Sequence, residues 1–123
     1  MNLTGFTDQQ KQTLLDLLTI GMYVDGNLAS VEDSKIEGVL NTIKFESETE
    51  RNRFIDGSFT RARQHLDSPQ AMRDFVTDIA KHFPTPDIRR KAYSNLEELL
   101  SSDNKIDAKE NKLLVIVREE FKF

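Results

Sequence analysis

The sequence predicts an all-α protein, a compact single-domain bundle of about seven helices. Apolar residues recur three or four positions apart along almost the whole chain, which is the spacing of one helix face. Helix-start and helix-stop signals separate these periodic segments, and alternation of apolar and polar residues is nowhere sustained. The length of 123 residues suits one domain, and no connecting segment is long enough to divide two.

The first predicted helix begins at Thr7, which forms a capping box with Gln10. This helix is expected to run from Asp8 to about Val24 and to stop at Gly26, since glycine tolerates the left-handed conformation of a C-terminal cap. Its predicted core residues are Leu14, Leu15, Leu18 and Met22.

Three further helices are expected in the next part of the chain. The second begins near Ser30, and the third begins after Ser47, which forms an N-cap pattern with Glu50. The third is predicted to end at Asp56-Gly57, and a short fourth helix covers residues 59–66. The predicted core residues of these helices are Ile36, Val39, Leu40, Ile43, Phe54 and Ile55.

Two N-cap residues followed by proline mark the starts of the fifth and sixth helices. Ser68-Pro69 and Thr85-Pro86 each place a proline at the first helical position, where its missing N–H is not needed. Pro84 ends the fifth helix, and a seventh runs from about Ala108 to Phe121. The core residues predicted here are Met72, Phe75, Val76, Ile79, Phe83, Ile88, Ala92, Leu96, Leu99, Leu100, Leu113, Leu114, Ile116 and Val117.

Composition excludes several classes of function. The chain has no cysteine, which rules out disulfides, thiolate metal sites and a cysteine nucleophile. No basic stretch precedes an apolar run at the N-terminus, and no apolar run approaches the roughly 18 residues of a membrane span. We therefore expect a cytoplasmic protein without membrane insertion. No phosphate-binding glycine loop, serine nucleophile motif or positioned catalytic base is recognisable, so we expect no enzymatic activity.

The net charge of −4 is unevenly distributed. Residues 1–50 contain three lysines and nine acids, and residues 51–91 contain nine basic residues and five acids. Residues 92–123 contain five basic residues and seven acids. The acidic excess makes nucleic acid an unfavourable partner. Three interpretations of the basic middle stay open: a solvated mixed surface, packing beside the acidic ends, or a patch for an acidic partner.

Two segments share one acidic pattern, Asp25 to Glu32 and Asp103 to Glu110. Each has an Asp, a residue tolerant of positive φ, any residue, then Leu or Ile, and a Glu seven positions after the Asp. Gly26 and Asn104 occupy the second position, and these residue types best adopt the left-handed conformation. Each segment is therefore predicted to be a tight turn between two helices.

The acids of this repeat allow two interpretations. Glu32 and Glu110 fall in the first turn of the following helix, where the helix dipole favours a carboxylate by about 0.3–1 kcal/mol. The same dipole disfavours Asp25 and Asp103 at the end of the preceding helix, so a role in ending that helix does not explain why these two residues are acids. The alternative is a divalent-cation site in one or both copies.

A calcium or magnesium ion suits the donor set of these turns. Carboxylates and backbone carbonyls are the oxygen ligands that Ca²⁺ and Mg²⁺ prefer, and Asp33 and Asp107 offer further oxygens. The spacing is not that of an EF-hand, in which a glutamate closes a twelve-residue loop. The sequence leaves open whether the two turns form one joint site or two.

The segment from Leu14 to Leu40 resembles the TerB family of tellurite-resistance proteins. The resemblance is carried by Asp25-Gly26-Asn27-Leu28 with the trailing Glu32 and Ile36, and the second hairpin of that family is similar to Asp103-Asn104-Lys105-Ile106 to Glu110. This sequence departs from the family in Asn104, where glycine is usual, and in Ser101-Ser102, where small apolar residues are usual. Residues 45–90 match the family only in being helical.

The resemblance implies a compact bundle of about seven helices and a place in stress-response or membrane-associated assemblies. Family members carry acidic clusters proposed to bind metal. Carried over to this chain, the implied metal ligands are Asp25, Glu32, Asp103 and Glu110. The implied function is that of a non-enzymatic, TerB-like, metal-binding module in a tellurite or metal stress response.

Two other functions remain as alternatives. One is a metal-independent protein-interaction bundle that uses an exposed groove or the Phe121-Lys122-Phe123 terminus. The other is a carboxylate-dependent hydrolase with a two-metal site where the hairpins meet. His65 and His82 are interpreted as ordinary surface or boundary residues, and Arg89-Arg90-Lys91 as a solvated segment or a docking patch.

Overall fold

The computed structural model describes residues 3–25, 30–101 and 108–123, with the backbone alone described at residues 25 and 30–34. These parts of the chain form helices and contain no strand, as the sequence predicts. None of these helices is long and apolar enough to cross a membrane. The helices are α1 (Asp8–Asp25), α2 (Ser30–Leu40), α3 (Glu48–Gln64), α4 (Pro69–Ala80), α5 (Pro86–Leu100) and α6 (Ala108–Phe121).

The predicted third and fourth helices are one continuous helix, α3, so the described residues contain six helices and not seven. Asp56-Gly57 was expected to end the third helix, but Gly57 lies within α3 and its φ is not positive. A glycine inside a helix costs only about 1 kcal/mol relative to alanine. Ser58 and Ala62 of α3 are buried, and the packing of this face against α1 outweighs that cost.

The helix starts predicted from the N-cap residues Thr7, Ser47, Ser68 and Thr85 are confirmed. Gln10 donates its backbone N–H to Thr7 Oγ1 at 3.1 Å, and Thr7 donates its own N–H to Gln10 Oε1 at 3.0 Å, which completes the capping box. The hydroxyls of Ser47, Ser68 and Thr85 each accept a bond from the backbone N–H three residues later, at 3.1, 3.1 and 3.3 Å. Local sequence therefore determines where these helices begin.

Helix α1 is the centre of the bundle, because it packs against each of the other five helices. The predicted core residues of α1 are buried, and Leu17 and Ile20 on its remaining faces are 0% exposed as well. Asp16 is the one residue between positions 14 and 22 that is not fully buried. The stretch of α1 from residue 14 to residue 22 is therefore buried on almost every side, which is typical of a helix in the centre of a bundle.

A glycine allows α5 to approach α1 closely. A Cβ atom placed on Gly21 would lie 2.8 Å from Leu96 Cδ1 and 3.4 Å from Leu100 Cδ2. Leu96 and Leu100 are 0% and 1% exposed, so neither has free space into which to move. Gly21 is therefore required by the packing of two helices and not by its backbone angles.

Helix α4 is shorter than predicted, yet the core residue beyond its end is in place. The helix ends at Ala80, and residues 81–83 form a turn. Phe83 is 0% exposed and lies edge-on to Phe6 and Phe121, with ring centroids 5.9 Å apart in both pairs. The three rings join the N-terminal segment to the end of α6.

Two arginines of α3 pair with acids of the N-terminal part of the chain. Arg61 donates from Nε and Nη2 to the two carboxylate oxygens of Asp16, at 3.2 and 2.9 Å. Arg51 pairs with Glu37 of α2. These contacts support the interpretation in which the basic middle of the chain packs beside its acidic ends.

A third arginine joins α4 to α6. Arg73 Nη1 lies 2.6 Å from Glu120 Oε1, and Thr77 Oγ1 lies 3.1 Å from Glu120 Oε2. The bonds from Arg73 and then from Thr77 lower the pKa of Glu120 below its ordinary value of 4.5. The same pairing raises the pKa of Arg73.

The close approach at Gly21 predicts opposite effects of one substitution at two helical glycines. Gly21→Ala should destabilise the protein, because an overpacking cost of about 1–3 kcal/mol outweighs the gain in helix propensity. Gly38→Ala is the matched control: its Cβ would meet no atom within 4 Å. It should stabilise the protein by about 0.5–1 kcal/mol. Urea unfolding measures both, and a stable Gly21→Ala variant would contradict the packing of α1 on α5.

The pairing of Glu120 predicts a contribution to stability that acid removes. Because the folded-state pKa is lowered, this contribution is present above the ordinary pKa of 4.5 and is lost as the pH falls through the lower folded value. Glu120→Gln should be less stable than the parent protein at pH 7, and the difference should shrink below pH 4.5. Glu119→Gln, whose partner Arg73 is 3.4 Å away, should show a smaller difference in the same thermal unfolding series.

Candidate functional site

The structure describes the side chain of only one of the four predicted metal ligands. Asp103 lies outside the described residues, as do residues 26–29 and 102–107, in which the sequence predicts the two turns. The backbones of Asp25 and Glu32 lie in α1 and α2, and their side chains are outside the described residues. Glu110 is the one member of the set whose side chain is described. The ligand set as a whole therefore stays a prediction.

Glu110 lies in the first turn of α6, as predicted, and its side chain is 1% exposed. Burying a carboxylate is costly unless it is hydrogen-bonded or paired with a charge. Glu110 has an interaction within the fold, and the N-terminal dipole of α6 favours its negative charge. The sequence predicted the helical position of this residue but not its burial.

The helices that flank the two acidic turns meet at one place. Helix α2 follows the first turn and α5 precedes the second, and Lys35 Nζ of α2 lies 3.0 Å from Glu98 Oε1 of α5. The hydrogen bond from Lys35 lowers the pKa of Glu98 below its ordinary value. This contact joins two segments that are 63 residues apart in the sequence.

The end of α1, before the first turn, and the start of α6, after the second turn, line one cavity of about 330 Å³. Val24, near the end of α1, and Lys109, in the first turn of α6, both line it. Lys112 adds a second positive charge to the wall, and Asp67 is the one acid among the lining residues. The described helices on either side of both turns thus lie at one end of the bundle, which the sequence did not reveal.

Among the side chains that the structure describes, those of residues 3–24, 35–101 and 108–123, no three histidines, aspartates or glutamates lie close enough to hold a metal ion. His65 and His82, which the sequence predicts to be ordinary surface or boundary residues, both line one cavity of about 200 Å³. Two acids, Asp16 and Asp78, line it as well, but they pair with Arg61 and Lys81.

His65 has a structural role in this cavity. Its Nδ1 lies 2.7 Å from the carbonyl oxygen of Arg61, which accepts the hydrogen bond, and its ring packs 4.7 Å from the ring of Phe75. His65 therefore fastens the end of α3 to α4. The interpretation of His65 as a boundary residue agrees with these contacts.

The segment Arg89-Arg90-Lys91 is only partly exposed. Arg89 turns inward and donates to three backbone carbonyls, those of Phe83, Phe121 and Ala80, at 2.7, 2.8 and 3.1 Å. A cation at these carbonyls stabilises the negative ends of α4 and α6. The sequence pattern did not predict that Arg89 caps these helix ends, since the three carbonyls come together only in the tertiary structure.

The terminal Phe121-Lys122-Phe123 segment belongs to the fold. Phe121 is 0% exposed, and the ring of Phe123 lies 5.3 Å from that of Tyr93. Arg90 also lies over the Phe123 ring, 6.0 Å from its centroid. The aromatic rings of this terminus therefore contribute to intramolecular packing, and its use as an interaction surface stays a prediction.

Comparisons with known proteins found no matching protein-family model, no matching curated protein and no matching solved structure.

The contacts of Arg89 predict a strong effect of its removal. Arg89→Ala should destabilise the protein by about 2–3 kcal/mol, because three carbonyl groups lose a charged donor. Arg90→Ala is the matched control, with an expected change within about 0.5 kcal/mol at an exposed position. Arg89→Lys should recover only part of the loss, since one ammonium group cannot reproduce the guanidinium fork. Equal denaturation midpoints for the Arg89→Ala and Arg90→Ala variants would refute the capping role.

Proposed function

We propose that this chain is a non-enzymatic, TerB-like helical module that binds a divalent cation, Ca²⁺ or Mg²⁺, through its two acidic turns. The proposed ligands are Asp25, Glu32, Asp103 and Glu110. The observation that carries the proposal is the convergence of the helices that flank both turns, where Lys35 of α2 contacts Glu98 of α5 at 3.0 Å.

Helix dipoles support a cation at this end of the bundle. Helix α1 ends at Asp25 and α5 ends at Leu100, so the negative ends of two dipoles lie beside the turns. Carboxylate oxygens are the ligands that hard divalent cations prefer. A bound cation would also offset the unfavourable interaction of Asp25 with the negative end of α1.

The biological setting proposed for this module is a stress-response assembly. That part of the proposal comes from the resemblance of the acidic hairpins to the TerB family. The proposal assigns no catalytic role to any residue. In the cavity of about 200 Å³, Asp16 and Asp78 are held in ion pairs, and the His65 ring is bonded to a backbone carbonyl.

A second candidate function is a metal-independent protein-interaction bundle. A groove between α2 and α3, lined by both apolar and polar side chains, favours it, since grooves between helices are typical docking sites. The two functions are compatible, because this groove is lined by residues other than the four proposed ligands.

Calorimetric titration with Ca²⁺, Mg²⁺, Mn²⁺ and Zn²⁺ tests the cation role. We expect saturable binding and a rise in stability of about 2.7 kcal/mol at a metal concentration one hundred times Kd. A stoichiometry of one metal per chain would indicate a joint site, and two would indicate separate sites. Asp25→Asn and Asp103→Asn should each weaken binding, because each removes a charged oxygen ligand.

The control variants carry the same substitution at acids of α4. Asp74→Asn and Asp78→Asn remove exposed carboxylates and should leave metal binding unchanged. The cation role fails if no heat and no change in melting temperature accompany millimolar concentrations of every metal. It fails equally if the α4 variants lose as much affinity as the turn variants.

A further inference from the structure

We draw no further inference here: the strongest candidate, the cavity of about 330 Å³ that Lys109 and Lys112 of α6 line together with Ser68 at the N-terminus of α4, belongs to the site already described, and nothing in the described part of the chain shows what ligand it would hold.

Discussion

The enclosure of α1 by the other five helices is the constraint on which the rest of the structure depends. A central helix has no face for solvent, which explains why Leu17 and Ile20 are buried beside the amphipathic stripe. Gly21 fits the same arrangement, since the absence of a side chain at this position lets α5 pack closely against α1. The closeness of α5 to α1 at this position in turn sets where the C-terminal half of the chain can lie.

The same arrangement gives the molecule one chemically distinctive end. The ends of α1 and α5 and the starts of α2 and α6 lie at this end of the bundle. Lys35 of α2 contacts Glu98 of α5 there. Two segments of similar sequence are thereby attached at neighbouring points of the bundle. The buried Glu110 and the cavity lined by Val24 and Lys109 belong to this end.

Arginines organise the outer contacts of the bundle. Arg61 and Arg73 each join two helices by pairing with an acid, and Arg89 closes the ends of α4 and α6 through their carbonyls. The planar guanidinium suits this task because it offers several donors in a fixed geometry. These three arginines of the basic middle of the chain therefore serve intramolecular packing.

The sequence by itself determined the helical class, the helix starts and most of the core, because N-caps and apolar periodicity act over a few residues. It predicted a break at Gly57 that does not occur, since packing of α3 on α1 outweighs a local helix preference. Tertiary structure alone decided the inward turn of Arg89, the shared cavity of His65 and His82, and the convergence of the helices beside the acidic turns. These features join residues far apart in the chain, and their geometry arises only when the helices pack around α1.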